Sequence, residues 1–179
     1  MNLSHSLMLF SLLSVYALAG AATRDPDSHF FDQSLGDFRE ELQTARDEGK
    51  KGILIMFEMD DCPFCHRMKT KVLNQVEVQD YFKGNFLIFP VDIEGDVMIT
   101  DFQGDTLAEK DFAFKQYRVR ATPVFAFFDL DGKLMARYTG ATSDDREFLW
   151  LGEFVADGHY LQSNFSRFKR NKKQGLRAK

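Results

Sequence analysis

Two cysteines three residues apart, in Cys62-Pro63-Phe64-Cys65-His66, are the only cysteines of the 179-residue chain. Upstream runs Gly52-Ile53-Leu54-Ile55-Met56-Phe57, an apolar stretch bounded by glycine and charge, which predicts a buried strand. Downstream, Met68, Val72, Leu73 and Val76 recur at helical spacing. The first cysteine therefore falls where a strand hands over to a helix. Unpaired backbone N–H groups and the positive end of the helix dipole favour a thiolate there. The thiolate, not the thiol, attacks a disulfide. Pro63 suits a first helical turn, because its missing N–H would be an orphan anyway. The same five residues also spell C-x-x-C-H, the attachment motif of c-type haem. A third reading is an inert disulfide, which across so short a loop restricts the unfolded chain little. The redox dithiol ranks first, haem second and the inert bridge third. The rest of the chain has to decide.

Length implies one domain with extensions. Nineteen phenylalanines and 44% hydrophobic residues are enough to fill a core, and large aromatic core residues are the plain reading. Leu7 to Ala19 is almost wholly apolar or small, and Ala19-Gly20-Ala21 has the form of a cleavage site. Residues 1–21 therefore read as a secretory signal peptide. No Lys or Arg precedes the apolar run, so an uncleaved anchor is the alternative. Export favours cycling cysteines over metal binding. Zinc would need about four ligands, and only His66 stands near the pair as a third. We expect no metal and no cofactor. The formal net charge of −4 hides an asymmetry: residues 167–179 hold seven Lys or Arg and no acid, while the remainder has 16 basic and 27 acidic residues. The basic end reads as a solvated, frayed tail. No nucleic-acid partner is expected.

In chain order, residues 22–33 read as a flexible segment, with Phe30-Phe31 as a short strand or anchoring pair. Ser34 reads as an N-cap with Asp37 three residues on. Leu35, Phe38, Leu42 and Ala45 form the apolar face of a helix that stops at Gly49. After the Cys62 helix, Asn74 and Glu77 predict a second cap and a resumed helix ending at Gly84. Asn85 to Asp92 is a strand, with Pro90 at an edge, bulge or end. Ile93 to Asp105 is a loop or small inserted hairpin. Thr106 and Glu109 predict a helix through about Tyr117. Val124 to Phe128 and Lys133 to Thr139 form a hairpin through Asp131-Gly132. Thr142 and Asp145 cap a last helix, and the aromatics of His159 to Phe168 fold back on the domain. Strands separated by helices, then a closing hairpin, predict an α/β fold around a central mixed sheet. That order also argues against haem, because no strand normally delivers the motif in small c-type cytochromes. Met98 and Met135 are weak distal-ligand candidates.

The strand leading into Cys62-Pro63-Phe64-Cys65, the Thr122-Pro123 opening the next strand and the Asp-Gly hairpin resemble the thioredoxin superfamily over roughly residues 34–157. Residues 158–179 are the extension. Met56 to Met68, Val119-Arg120-Ala121-Thr122-Pro123 and Tyr138-Thr139-Gly140 are similar to exported SoxW-like thioredoxins, with a more distant likeness to the C-terminal domain of DsbD. The resemblance implies a thioredoxin-like fold with a short insertion before a cis-proline region. It implies Cys62 as the exposed nucleophile, Cys65 as the resolving thiol, Pro123 as the cis-proline, and Pro63, Phe64, Thr122 and Pro123 as the substrate contact, with Thr122 offering backbone groups to an extended peptide. The chain departs from thioredoxin in having Met56 at the position of the buried aspartate. Glu58 shares a strand face with Met56, so it is the nearest substitute acid–base group for Cys65.

The expected reaction is thiol–disulfide exchange: Cys62 attacks a substrate disulfide and Cys65 resolves the mixed disulfide. Asp60 and Asp61 raise the Cys62 pKa, whereas His66 and Arg67 lower it, so local charge leaves the direction open. The resemblance points to a periplasmic reductase acting on protein disulfides, fed by a membrane thiol carrier of the DsbD or CcdA kind, and monomeric. A disulfide oxidant or isomerase of the same fold and a non-catalytic binding module are the alternatives.

Overall fold

The structure is a computed structural model and describes residues 22–177. The expected signal peptide or anchor lies outside the described residues. Four strands form the main sheet: β1 (Gly52–Glu58), β2 (Phe86–Asp92), β5 (Val124–Phe128) and β6 (Leu134–Thr139), in the order β2-β1-β5-β6. β1 runs parallel to β2 and antiparallel to β5, and β5 pairs antiparallel with β6. The sheet is mixed, as the order of elements predicted. A second, two-stranded sheet of β3 (Met98–Thr100) and β4 (Thr106–Ala108) is the inserted hairpin.

Strand alternation splits the core into two layers. Leu54, Met56, Phe86, Ile88, Phe125 and Phe127 face one side. There they meet α3 (Pro63–Lys71), α4 (Val76–Asn85) and α6 (Asp145–Ala156). Ile53, Ile55, Phe57, Phe89, Val124 and Phe128 face the other, under α2 (Phe38–Asp47) and the hairpin. Rings dominate both layers: Phe82 stacks on Phe148 at 4.4 Å between centroids, and Phe102 meets Phe128 at 4.7 Å. The heavy use of phenylalanine is thus a packing device. Gly52 marks a close approach, because a Cβ there would lie 1.9 Å from the Phe128 carbonyl oxygen.

Residues 22–33, expected to be flexible, are packed instead. They hold a short helical turn, α1 (Pro26–His29), and Phe30 is fully buried beside Phe82 and Phe148. The Asp32 amide donates to the Ile88 carbonyl at 2.8 Å, and its carboxylate accepts from the Ile88 amide at 2.9 Å. This segment therefore covers the outer edge of β2, which would otherwise present unpaired backbone. The basic end is also not a frayed tail. It forms α7 (Phe165–Arg177), because Phe165 and Phe168 pack on Phe154 at 5.6 and 5.5 Å. A 3₁₀ turn, His159–Leu161, precedes it.

The expected caps shift by one to three residues. Asp37 caps α2 in place of Ser34, whose hydroxyl accepts from the Gly36 amide, and Leu35 is left fully exposed. Gln75 precedes α4, while the Asn74 side chain donates to the Thr70 carbonyl. Asp144, not Thr142, caps α6. Thr106 belongs to β4, so the following helix starts at α5 (Glu109–Asp111) and continues as a π-helical stretch, Phe112–Gln116. In each case a tertiary pairing or a neighbouring carboxylate outcompetes the local signal.

Candidate active site

β1 ends at Glu58, a short turn follows, and Cys62 takes the N-cap position of α3 with extended backbone. Cys62 and Cys65 form a disulfide with Cα atoms 5.2 Å apart. The Cys65 amide donates to the Cys62 sulfur at 3.0 Å. The first turn of α3 holds no acidic side chain to oppose the helix dipole at that sulfur. In this oxidised state the two cysteines are almost equally buried, at 5% and 3% exposed. Accessibility therefore does not single out Cys62 as the nucleophile, contrary to the sequence expectation. What distinguishes Cys62 is its N-cap position and the hydroxyl aimed at its sulfur.

That hydroxyl belongs to Thr122, whose Oγ1 lies 3.2 Å from Cys62 Sγ although 60 residues separate them. Central pairing of β1 with β5 brings the segment before β5 over the start of α3. The Thr122–Pro123 peptide bond is cis. The Pro123 carbonyl accepts from the Gly140 amide at 2.8 Å, which ties this loop to the end of β6. Among the described residues, neither the amide nor the carbonyl of Thr122 is engaged by another backbone group. Pro63 is exposed in the first turn, and Phe64 is 61% exposed between the cysteines.

Glu58, Cys62, Cys65, His66, Lys69 and Asp92 line one cleft of about 220 Å³. Lys69 Nζ donates to Glu58 Oε1 at 3.0 Å and lies 3.2 Å from Asp27 of α1. Its ammonium also stands 5.3 Å from the Phe31 ring centroid. Burial pushes the Glu58 carboxyl up; the hydrogen bond and charge of Lys69 oppose this without reversing it. Burial pulls Lys69 down, yet its bonds to Glu58 and Asp27 outweigh that and raise it. The two partners shift in the same direction because their company differs: Lys69 has two carboxylates, whereas Glu58 has one cation and the nearby Asp27 and Asp92 carboxylates.

Sequence reasoning singled out Cys62, Cys65, Glu58, Pro63, Phe64, Thr122 and Pro123, and the fold brings them together around the start of α3. It missed Lys69 and Asp27. Lys69 was legible, being four residues beyond Cys65 on the same helix face. Asp27 was not, because nothing local says that residues 22–33 dock there.

Residues 38–156 match the family described as Thioredoxin-like domain. The chain belongs to that family. Among solved structures, a thioredoxin-fold protein from Helicobacter pylori is 24% identical, with a TM-score of 0.58 over 73% of this chain and 88% of the other. A thioredoxin from Thermus thermophilus is 26% identical, with a TM-score of 0.52 over 69% and 88%. A DsbH oxidoreductase is 17% identical, with a TM-score of 0.54 over 86% and 94%. No curated protein matches the chain. Family membership together with a disulfide at the N-terminus of α3 makes this thioredoxin-like protein a thiol:disulfide oxidoreductase. The haem alternative fits poorly. A strand-to-helix turn delivers both sulfurs to each other, and they are paired as a disulfide.

Proposed function

We propose that this thioredoxin-like protein is a periplasmic reductase of protein disulfides. The observation that carries the exchange chemistry is Glu58, which as a base for Cys65 serves either direction; the reductive direction comes from the resemblance of residues 56–68 to exported thioredoxins. Glu58 is a carboxyl with a raised pKa in the same cleft as both sulfurs, suited to accept the Cys65 proton as the mixed disulfide is resolved. The Cys62 thiolate attacks one substrate sulfur and the other leaves as a thiolate. The Cys65 thiol then gives its proton to Glu58, attacks Cys62 Sγ and releases the second substrate thiolate. Two electrons pass to the substrate and the Cys62–Cys65 disulfide remains. Pro63, Phe64, Thr122 and Pro123 form the contact surface, and the free Thr122 backbone groups take an extended peptide by strand addition.

The apolar stretch before residue 22 supports export, and among the described residues no helix is long and apolar enough to cross a membrane. A reductant working outside the cytosol needs electrons delivered across the membrane, which calls for a thiol carrier of the DsbD or CcdA kind. The protein acts as a monomer in this scheme. The test is the reduction potential of the Cys62–Cys65 pair in a thiol redox buffer, with turnover of insulin disulfides. A value near thioredoxin's, about −270 mV, and turnover abolished by Cys62→Ser support the reading. A value near DsbA's, about −120 mV, makes the protein an oxidant or isomerase instead. Retention of a partner after both cysteines are replaced, with no turnover by the intact protein, makes it a binding module.

A further inference from the structure

Among the described residues, only two phenylalanines are exposed, Phe64 at 61% and Phe114 at 50%. Exposed aromatics are among the residues that interfaces favour. Phe64 lies between the cysteines. Phe114 belongs to the π-helical stretch that feeds the Thr122-Pro123 loop.

The chain between Phe114 and Thr122 is held in one shape. The Arg118 amide donates to the Phe114 carbonyl at 3.1 Å, and the Val119 amide to the Ala113 carbonyl at 3.0 Å. These bonds close the helix end around Arg118, which has φ +53°, the only positive φ of a non-glycine among the described residues. Glycine or asparagine usually takes this position. Val119 is 3% exposed and pins the segment to the core, while Arg118 and Arg120 on either side are exposed. The Arg120 guanidinium lies 5.5 Å from the Phe114 ring centroid, a cation–π distance that orients it. Arg137 adds a third guanidinium, donating to the Tyr117 carbonyl at 2.6 Å. Among the described residues, none of Arg118, Arg120 and Arg137 forms an ion pair within 4 Å.

We propose that Phe114 and Arg120 form a selectivity platform that favours disulfides whose cysteine is followed or preceded, two residues away, by an acidic side chain. This inference rests on the reading of the site as a protein-disulfide reductase. Thr122 touches the Cys62 sulfur, and Arg120 stands two residues upstream, so their Cα atoms are at most about 7 Å apart. A peptide added as a strand along Thr122 therefore carries the residue two positions from its cysteine past Arg120.

The experiment is single-turnover reduction of two peptide disulfides by the pre-reduced full-length protein. One peptide carries Glu on both sides of its cysteine at two residues' distance, the other Lys. Wild type should reduce the Glu peptide about three- to fivefold faster, a margin that shrinks at high salt. Arg120→Lys should keep the preference, and Arg120→Glu should reverse it. Reversal is a gain that a merely damaged fold cannot produce. Equal rates for both peptides, or a preference unchanged in Arg120→Glu, overturn the platform while leaving the reductase reading intact. Failure of wild type to reduce either peptide overturns the reductase reading and the platform with it.

Discussion

Glu58 holds the residue-scale argument. Its pKa is raised because burial outweighs Lys69, so it gives up its proton at a higher pH than an exposed carboxyl does. The sign follows: a raised carboxyl pKa means that ionising Glu58 works against the fold, and this cost is absent below its unfolded pKa and complete above its folded one. Resolution of the mixed disulfide should accelerate as pH rises through the Glu58 titration. In Glu58→Gln that limb should vanish and resolution should slow by about 10²-fold at neutral pH, within the usual range for a lost general base. Rapid-quench measurement of mixed-disulfide decay checks this, since attack by Cys62 is scored separately. A Gln variant with an unchanged pH profile would leave Glu58 as a partner for Lys69 only.

α7 shows how an element can be built from charges and rings together. Lys169 donates to Glu147 Oε1 at 2.6 Å, and the Ser143 hydroxyl donates to Oε2 at 2.6 Å. Burial raises the Glu147 carboxyl, but these two donors outweigh it and hold it below its usual range. A depressed carboxyl pKa adds stability that is present above the unfolded value and lost as pH falls through the folded one. Acidification should therefore weaken the docking of α7 before the main sheet melts. Lys169→Ala should do the same at neutral pH, costing about 1–3 kcal/mol for a charged hydrogen bond removed from a nearly buried acceptor. Trp150, the only tryptophan, lines the groove beside α7 with Phe168 and Leu176, so a red shift of its fluorescence reports undocking. The helix was unreadable as a helix from its charges, because a run of Lys and Arg looks solvated. Its Phe165 and Phe168 were visible as aromatics that fold back, but their receptor, Phe154, is supplied by α6.

At the scale of the whole molecule, the domain begins earlier than its sequence pattern does. Phe30 lies outside the matched 38–156 span, yet it is fully buried among Phe31, Phe82 and Phe148. Phe30→Ala should cost about 3–5 kcal/mol, the range for a core phenylalanine, read as a fall in the urea midpoint. A variant as stable as wild type would mean that residues 22–33 are ornamental. The four strands of the main sheet, the strand-to-helix position of Cys62 and the Asp-Gly hairpin were legible in the sequence, because each depends on local periodicity or turn chemistry. So was the pairing of Glu58 with Met56 on one strand face, since alternation is geometric. Of the inserted hairpin only the first strand fell in the expected Ile93–Asp105 stretch, since Thr106 looked like a helix cap and is strand by its pairing with Thr100. What the tertiary structure alone decided are the contacts that no local rule encodes. Thr122 reaches Cys62 across 60 residues because β5 pairs with β1. Asp27 reaches Lys69, and Asp32 seals the β2 edge, because the buried Phe30 ties residues 22–33 to the core. Composition determined that the chain could fill an aromatic core; burial of particular rings chose which polar segments came to lie beside the disulfide.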